Sequence, residues 1–162
     1  MLRRSFPLPL GKGRVAIVGR PRGGDWLEDE LTALRAEGFD VLVSMLCPDE
    51  EEALELTREA ETAARLGLEY VSLPVPDRGV PDVAQARPVL VRLARHVEDG
   101  GTVAVHCRMG IGRSCLFAAS LLRLSGIPSE QAWRQVETAR GCSVPDTPEQ
   151  RAWIDSLVPR AR

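Results

Sequence analysis

Histidine is almost missing from this chain: His96 and His106 are the only two. The four cysteines, Cys47, Cys107, Cys115 and Cys142, include no closely spaced pair of the kind that holds zinc. No metal site and no cofactor is therefore expected. Four cysteines in 162 residues also do not make a disulfide scaffold, so at least one thiol is expected to be free. No apolar run approaches the roughly 20 residues that span a bilayer. The opening Met1–Leu10 is basic at first, but Pro7 and Pro9 interrupt its short apolar stretch, so it does not read as a secretory leader. No membrane association and a cytoplasmic location are the expectations. A basic excess is absent too: 21 Lys and Arg stand against 23 Asp and Glu, which argues against a dedicated nucleic-acid binder. No repeat, low-complexity tract or linker divides the sequence. One domain over residues 14–158 is expected, behind an irregular lead-in at 1–13, and a monomer is the default.

What is present is an alternation of strand and helix patterns. Arg14–Gly19, Asp40–Met45, Glu69–Leu73 and Thr102–His106 are short apolar runs and read as strands. Between them, Asp25 caps a helix to about Glu37, and Pro48–Arg65 reads as one acidic-fronted helix with Ala53, Leu56, Ala60 and Ala64 on one face. Val83–Glu98 is a third helix, preceded by Asp82 as its N-cap. After the fourth strand come an almost wholly apolar helix at Cys115–Leu122, one from Pro128 or Ser129 to Gly141, and a last one opened by Thr147 and Pro148. The pattern predicts an α/β fold: a mainly parallel sheet of about four to five strands flanked by helices, with a helical C-terminal part.

The chemistry concentrates at His106-Cys107-Arg108-Met109-Gly110-Ile111-Gly112-Arg113-Ser114. A cysteine leaves the end of a strand, two glycines follow, an arginine closes the run, and a helix begins. Glycines permit backbone conformations in which successive N–H groups converge, and the helix start adds free N–H groups of its own. Such a bowl fits a phosphate-sized oxyanion held by the backbone of residues 108–112, with Arg113 gripping two oxygens through its planar fork. The same surroundings favour a negative sulfur, since a free cysteine titrates near 8.5 and cationic, helix-end settings lower it. Cys107 is thus the candidate nucleophile and Ser114, next to the arginine, the candidate donor to the departing sulfur. The plain alternative is a glycine-bearing strand–helix turn around an inert buried thiol. Asp77, in the proline- and glycine-rich stretch Pro74–Pro81, is the candidate general acid, with a solvated turn aspartate as its alternative.

The run His106–Ser114 resembles the HCxxGxxRS phosphate loop of the protein tyrosine phosphatases, in their dual-specificity branch. Gly19–Arg22 with Asp25–Leu27, the strand end Ser44–Leu46, Val75–Asp77 and Thr147–Gln150 are similar to other parts of such enzymes, in the same order. The resemblance implies a cysteinyl-phosphate intermediate at Cys107, Asp77 as the acid, Gln150 as a residue that helps place water, and His106 as a brace of the loop. In some relatives a second cysteine captures the oxidised nucleophile, so Cys47 becomes a possible redox partner; a small buried hydrophobe is its plainer reading. Cys115 departs from the family's usual small residue after the serine.

The implied substrate is a phosphate monoester, phosphotyrosine with phosphoserine or phosphothreonine in a protein, or a small phosphate ester. A phosphoinositide, nucleotide or RNA 5′-phosphate is the second reading. Arg108 is the only extra charge among the variable loop positions, and apolar Met109 and Ile111 suit highly charged lipids less well. A non-catalytic phosphate-binding module is the third, disfavoured by the presence of both Cys107 and Arg113.

Overall fold

A computed structural model describes residues 4–159. Five strands form one sheet in the order β1-β2-β5-β3-β4, with β1 Ser5–Leu10, β2 Gly13–Val18, β3 Val41–Ser44, β4 Glu69–Ser72 and β5 Thr102–His106. β2, β5, β3 and β4 are parallel to their neighbours and β1 is antiparallel at the edge. The helices are α1 Leu27–Ala36, α2 Pro48–Ala53, α3 Glu59–Arg65, α4 Val83–Glu98, α5 Arg113–Leu124, α6 Ser129–Arg140 and α7 Pro148–Trp153. The expected α/β architecture is the one observed.

The two-residue period of the strands divides the core. Val15, Ile17, Val41, Val43, Val103 and Val105 point to the side where α4, α5 and α6 pack. Ala16, Val18, Leu42 and Ala104 point to the other, against Leu27, Leu31 and Leu34 of α1 and Ala63 of α3. α5 buries eleven of its twelve residues, as the almost wholly apolar stretch Cys115–Leu122 anticipates.

Three expectations are corrected. Residues 1–13 are not an irregular lead-in throughout: Ser5–Leu10 is a strand paired with β2, burying Leu8 and Leu10. Pro7 and Pro9 misdirect the sequence reading, yet a spacing of two lets both turn their donor-less nitrogens to the open edge. Asp25 caps nothing; it sits inside a 3-10 turn, Gly24–Trp26, ahead of α1. Pro48–Arg65 is not one helix. It breaks after α2, where Glu55 takes a left-handed φ of 57°. Ala53, Ala60 and Ala64 are exposed, while Glu50, Leu56, Glu59, Thr62 and Ala63 are buried.

The parallel order places the carboxyl ends of β3 and β5 side by side. Ser44 pairs in register with His106, and the Met45 N–H donates to the His106 carbonyl at 3.0 Å. The turns leaving these two strands, together with the one after β4, build the site.

Candidate active site

Cys107 follows β5 directly and is 3% exposed. The Gly110 N–H donates to its sulfur at 3.2 Å. Gly110 has φ +71°, a conformation that side chains rarely adopt, so the loop needs glycine there for its backbone rather than for room. At Gly112 the reason is the opposite one: a Cβ would collide with the Asp146 carboxylate.

Two arginines hold the loop from outside. Arg20 donates to the Arg108 carbonyl at 2.9 Å, and Arg140, stacked over Phe6, donates to the Gly110 carbonyl at 2.9 Å. In a trans peptide the C=O and the next N–H point in opposite directions. Each carbonyl drawn toward its arginine therefore turns the following N–H, that of Met109 or Ile111, the other way. Cys115 adds a weak contact, its thiol 3.6 Å from the same Gly110 carbonyl. Burial pushes this thiol well above the ordinary cysteine range, so it stays neutral. The unusual residue at 115 is thus absorbed as a buried support of the loop.

Arg113 opens α5 and is 1% exposed. Its Nη1 and Nη2 donate to the two Glu50 oxygens at 2.7 and 2.9 Å, a fork-on-fork pair. Nη1 also donates to the Val75 carbonyl at 2.8 Å and the Met45 carbonyl at 3.3 Å. Burial alone would lower the Arg113 pKa, but the Glu50 hydrogen bonds and the charges of Cys107, Glu50 and Asp77 carry it above its usual value. Reciprocally, the hydrogen bonds from Arg113 hold the Glu50 carboxyl below the ordinary carboxylate range against the opposing pull of burial.

Glu50 escaped the sequence reading. Its signal was there: it stands three residues after Cys47, at the position where a capping box places a carboxylate, and the Cys47 N–H does donate to it at 3.1 Å. One side chain thus caps α2 and orients the arginine. Glu59 was missed as well. It is 1% exposed and meets His106 Nε2 at 2.9 and 3.0 Å, while His106 Nδ1 lies 3.4 Å from the Cys107 carbonyl. His106 is fully buried, and this pair ties the end of β5 to α3.

Asp77 lies on the turn after β4, its side chain 62% exposed and one oxygen 3.4 Å from Arg113 Nη2. The turn is closed by a Gly79 N–H donating to the Pro76 carbonyl at 2.8 Å, with Arg78 at φ 62°. Asp82 is the N-cap of α4, accepting from the Gln85 N–H at 3.1 Å as expected. Gln150, anticipated near water, is completely buried. Its amide nitrogen donates to the Gly79 carbonyl at 3.0 Å and its oxygen accepts from the Asp146 N–H at 3.1 Å. Trp153 of the same helix donates to the Pro81 carbonyl at 2.9 Å. α7 thus holds the Asp77 turn at two points.

The Ser114 hydroxyl is buried and has no hydrogen-bond partner among the described residues. A buried hydroxyl without a partner is costly unless a transient one completes it. Cys47 is half-buried at the start of α2, and burial followed by the Glu50 carboxylate raises its pKa. Cys47 is thereby a less ready thiolate. No group of three or more His, Cys, Asp or Glu side chains that could hold a metal exists among the described residues, and none of their helices is long and apolar enough to cross a membrane.

A thiol in a loop of inward N–H groups, backed by a fixed guanidinium, is the construction of the cysteine-based phosphatases, and its sheet and helices are those of the dual-specificity type. The chain belongs to the family described as "Polymorphic toxin system, DSP-PTPase phosphatase", whose pattern matches residues 16–126. It is 36% identical over 82 residues to mouse "Cyclin-dependent kinase inhibitor 3", a match covering 50% of this chain and 39% of that protein, so the chain spans well under two thirds of this relative. Among solved structures, kinase associated phosphatase aligns over 95% of this chain and 93% of its own, at TM-score 0.87 and 20% identity. Tk-PTP in its active form aligns over 90% and 91%, at TM-score 0.74 and 29% identity.

Proposed function

We propose that this phosphatase domain hydrolyses phosphate monoesters on proteins, phosphotyrosine together with phosphoserine or phosphothreonine, through a cysteinyl-phosphate. The observation that carries the reading is the pairing of Cys107, with an N–H already on its sulfur, and an Arg113 fixed in position before any substrate arrives. In the first step the Cys107 thiolate attacks phosphorus. The S–P bond forms, the P–O bond to the leaving group breaks, and the Asp77 carboxyl gives its proton to the departing oxygen. The loop N–H groups and Arg113 take the charge of the equatorial oxygens. In the second step water attacks phosphorus, Asp77 accepts its proton, and the S–P bond breaks. Ser114 donates to the leaving sulfur, which gives its unpartnered hydroxyl a use. Gln150 has one amide hydrogen beyond the one spent on Gly79 with which to place that water.

The test is hydrolysis of a small aryl phosphate by the metal-free protein, with vanadate as inhibitor. Wild type turns over and is inhibited; Cys107→Ser does not turn over. A clean wild-type protein without activity would falsify the reading. Asp77→Asn lowers turnover by about 10²-fold or more for poor leaving groups and less for good ones, whereas an equal loss for all esters moves the acid elsewhere.

A further inference from the structure

Beside the phosphate loop lies a groove of about 520 Å³ whose walls include Arg20, Arg22, Trp26, Glu55, Arg108 and Met109. No step of the proposed reaction uses the side chains that line it. Two of its residues, Trp26 at 55% and Met109 at 69% exposure, are among the few large apolar side chains left in solvent. Large apolar side chains exposed together next to a reactive centre mark a contact surface.

The groove is built before anything binds. Arg22 is gripped by Glu30 at 2.9 and 3.1 Å through two side-chain nitrogens, and its guanidinium stacks on the Trp26 ring at 4.2 Å. Trp26 is therefore exposed yet held on one face. Underneath, the Gly24 N–H donates to the Glu55 carbonyl at 3.0 Å, and a Cβ at Gly23 would collide with the Leu54 and Glu55 carbonyls. The turn between α2 and α3 thus clasps the 20–26 segment. Pre-ordering of this kind lowers the entropy lost on binding.

The charges in the groove are unequal. Arg22 is already paired with Glu30, and Glu55 adds a carboxylate to the rim. Arg20 spends one nitrogen on the Arg108 carbonyl, and among the described residues the rest of its fork is open. Among the described residues the Arg108 guanidinium has no hydrogen-bond or ion-pair partner, although its charge reaches Glu50. Two available cations beside an aromatic and a thioether suit one acidic side chain and one apolar neighbour. A polyphosphorylated headgroup would meet too few cations and an opposing carboxylate.

We infer that this groove is a substrate subsite which receives the residues flanking the phosphorylated one, an acidic side chain on Arg20 and Arg108 and an apolar side chain between Trp26 and Met109. The assignment rests on the protein-phosphatase reading and gives it a sequence preference. It also makes Trp26 a specificity residue that takes no part in the chemistry.

The test uses two phosphotyrosine peptides identical except beside the phosphotyrosine, one with Glu and Leu and one with Lys and Ser. Binding to the Cys107→Ser protein and to its Trp26 variants is followed by the anisotropy of fluorescein-labelled peptides, and where Trp26 is present also by its own fluorescence. Trp133 and Trp153 are buried, so Trp26 dominates the solvent-sensitive signal. The Glu/Leu peptide binds roughly tenfold more tightly and perturbs the emission. Trp26→Ala lowers its affinity several-fold, and Trp26→Glu brings the two peptides to near equality. Wild-type and Trp26→Glu proteins hydrolyse a small aryl phosphate at equal rates. Equal binding of both peptides, a preference that survives Trp26→Glu, or tighter binding to phosphatidylcholine vesicles carrying a phosphoinositide would each overturn the subsite. Failure of the catalytic reading shows separately, as absence of aryl phosphate hydrolysis by wild type, while the peptide titration still reports on the groove.

Discussion

Two segments meet at the phosphate loop, and they relate to their sequences in opposite ways. On one side, residues 102–124 run from strand through loop into α5, and nearly every side chain does what its type suggests: valines bury, glycines bend, and the helix is apolar because it is surrounded. On the other side, residues 48–65 are predominantly acidic and alanine-rich, and the pattern inverts. The alanines at 53, 60 and 64 face solvent, while Glu50 and Glu59 are inside. The reason lies across the gap. Arg113 and His106 are buried polar groups that the first segment cannot satisfy from within itself, and a buried charge without a partner costs several kcal/mol. The second segment exists to complete the first, so its inward face is written in carboxylates.

The largest effect expected from this division falls on Arg113. Arg113→Lys keeps the charge but loses the fork that meets Glu50 and an oxyanion together, and kcat for aryl phosphate hydrolysis drops by about 10³-fold. Steady-state kinetics with far-ultraviolet circular dichroism as a folding control measure it. A loss under tenfold would mean that charge alone is what the loop requires.

Glu50→Gln probes the same bond from the other segment. The amide offers only one acceptor to a guanidinium that uses two, so activity falls by about 10²-fold and stability by about 3 kcal/mol. The exposed neighbour Glu52→Gln changes stability by under about 0.5 kcal/mol. Urea unfolding of the two variants tests the contrast, and equal effects would dissolve it. The pH dependence sharpens it. Because Arg113 holds the folded Glu50 carboxyl below its unfolded value, the stabilisation is complete above the ordinary carboxylate range, near 4.3, and is lost as pH falls through the folded pKa. The stability gap between wild type and Glu50→Gln is therefore constant near neutrality and closes in acid.

At Glu59 the effect is on stability first. Glu59→Ala strands His106, which is fully buried, and costs about 2–3 kcal/mol, measured as a shift in the urea midpoint. Ala60→Ser, one residue further on and exposed, stays within about 0.5 kcal/mol.

These contrasts also explain what the sequence made legible. The alternation of strands and helices, the helix at 83–98 and the strand at 102–106 emerged from periodicity because their burial is apolar and local. Cys107, Arg113 and Ser114 emerged because loop chemistry is compact: glycines, cation and nucleophile sit within eight residues. Glu50 lies 63 residues from Arg113 and Glu59 lies 47 from His106, and nothing in an acidic helix start separates a carboxylate that answers a buried cation from one that answers the helix dipole. β1 was hidden by a similar degeneracy, since two prolines signal a loop unless their alternate spacing on an edge is considered. Gln150 was placed near the site on resemblance, but its grip on the Asp77 turn needed the fold to bring residues 79 and 150 together.

The smallest effect is the one that decides whether the second segment is one helix or two. Glu55 occupies a left-handed conformation at φ 57°, where a side chain carries strain that glycine does not. Its carbonyl accepts from Gly24, and glycine would retain that bond because it uses the backbone alone. Glu55→Gly is therefore expected to be neutral or to stabilise by about 0.5 kcal/mol, the relief of strain outweighing the added freedom of the unfolded chain. In a continuous helix over 48–65 the same substitution would sit mid-helix and destabilise by about 1 kcal/mol. The two arrangements thus differ in sign, and thermal unfolding of a single variant distinguishes them. A raised or unchanged midpoint keeps Leu56 and Glu59 turned inward by the break, and a lowered one would require another route for Glu59 to reach His106.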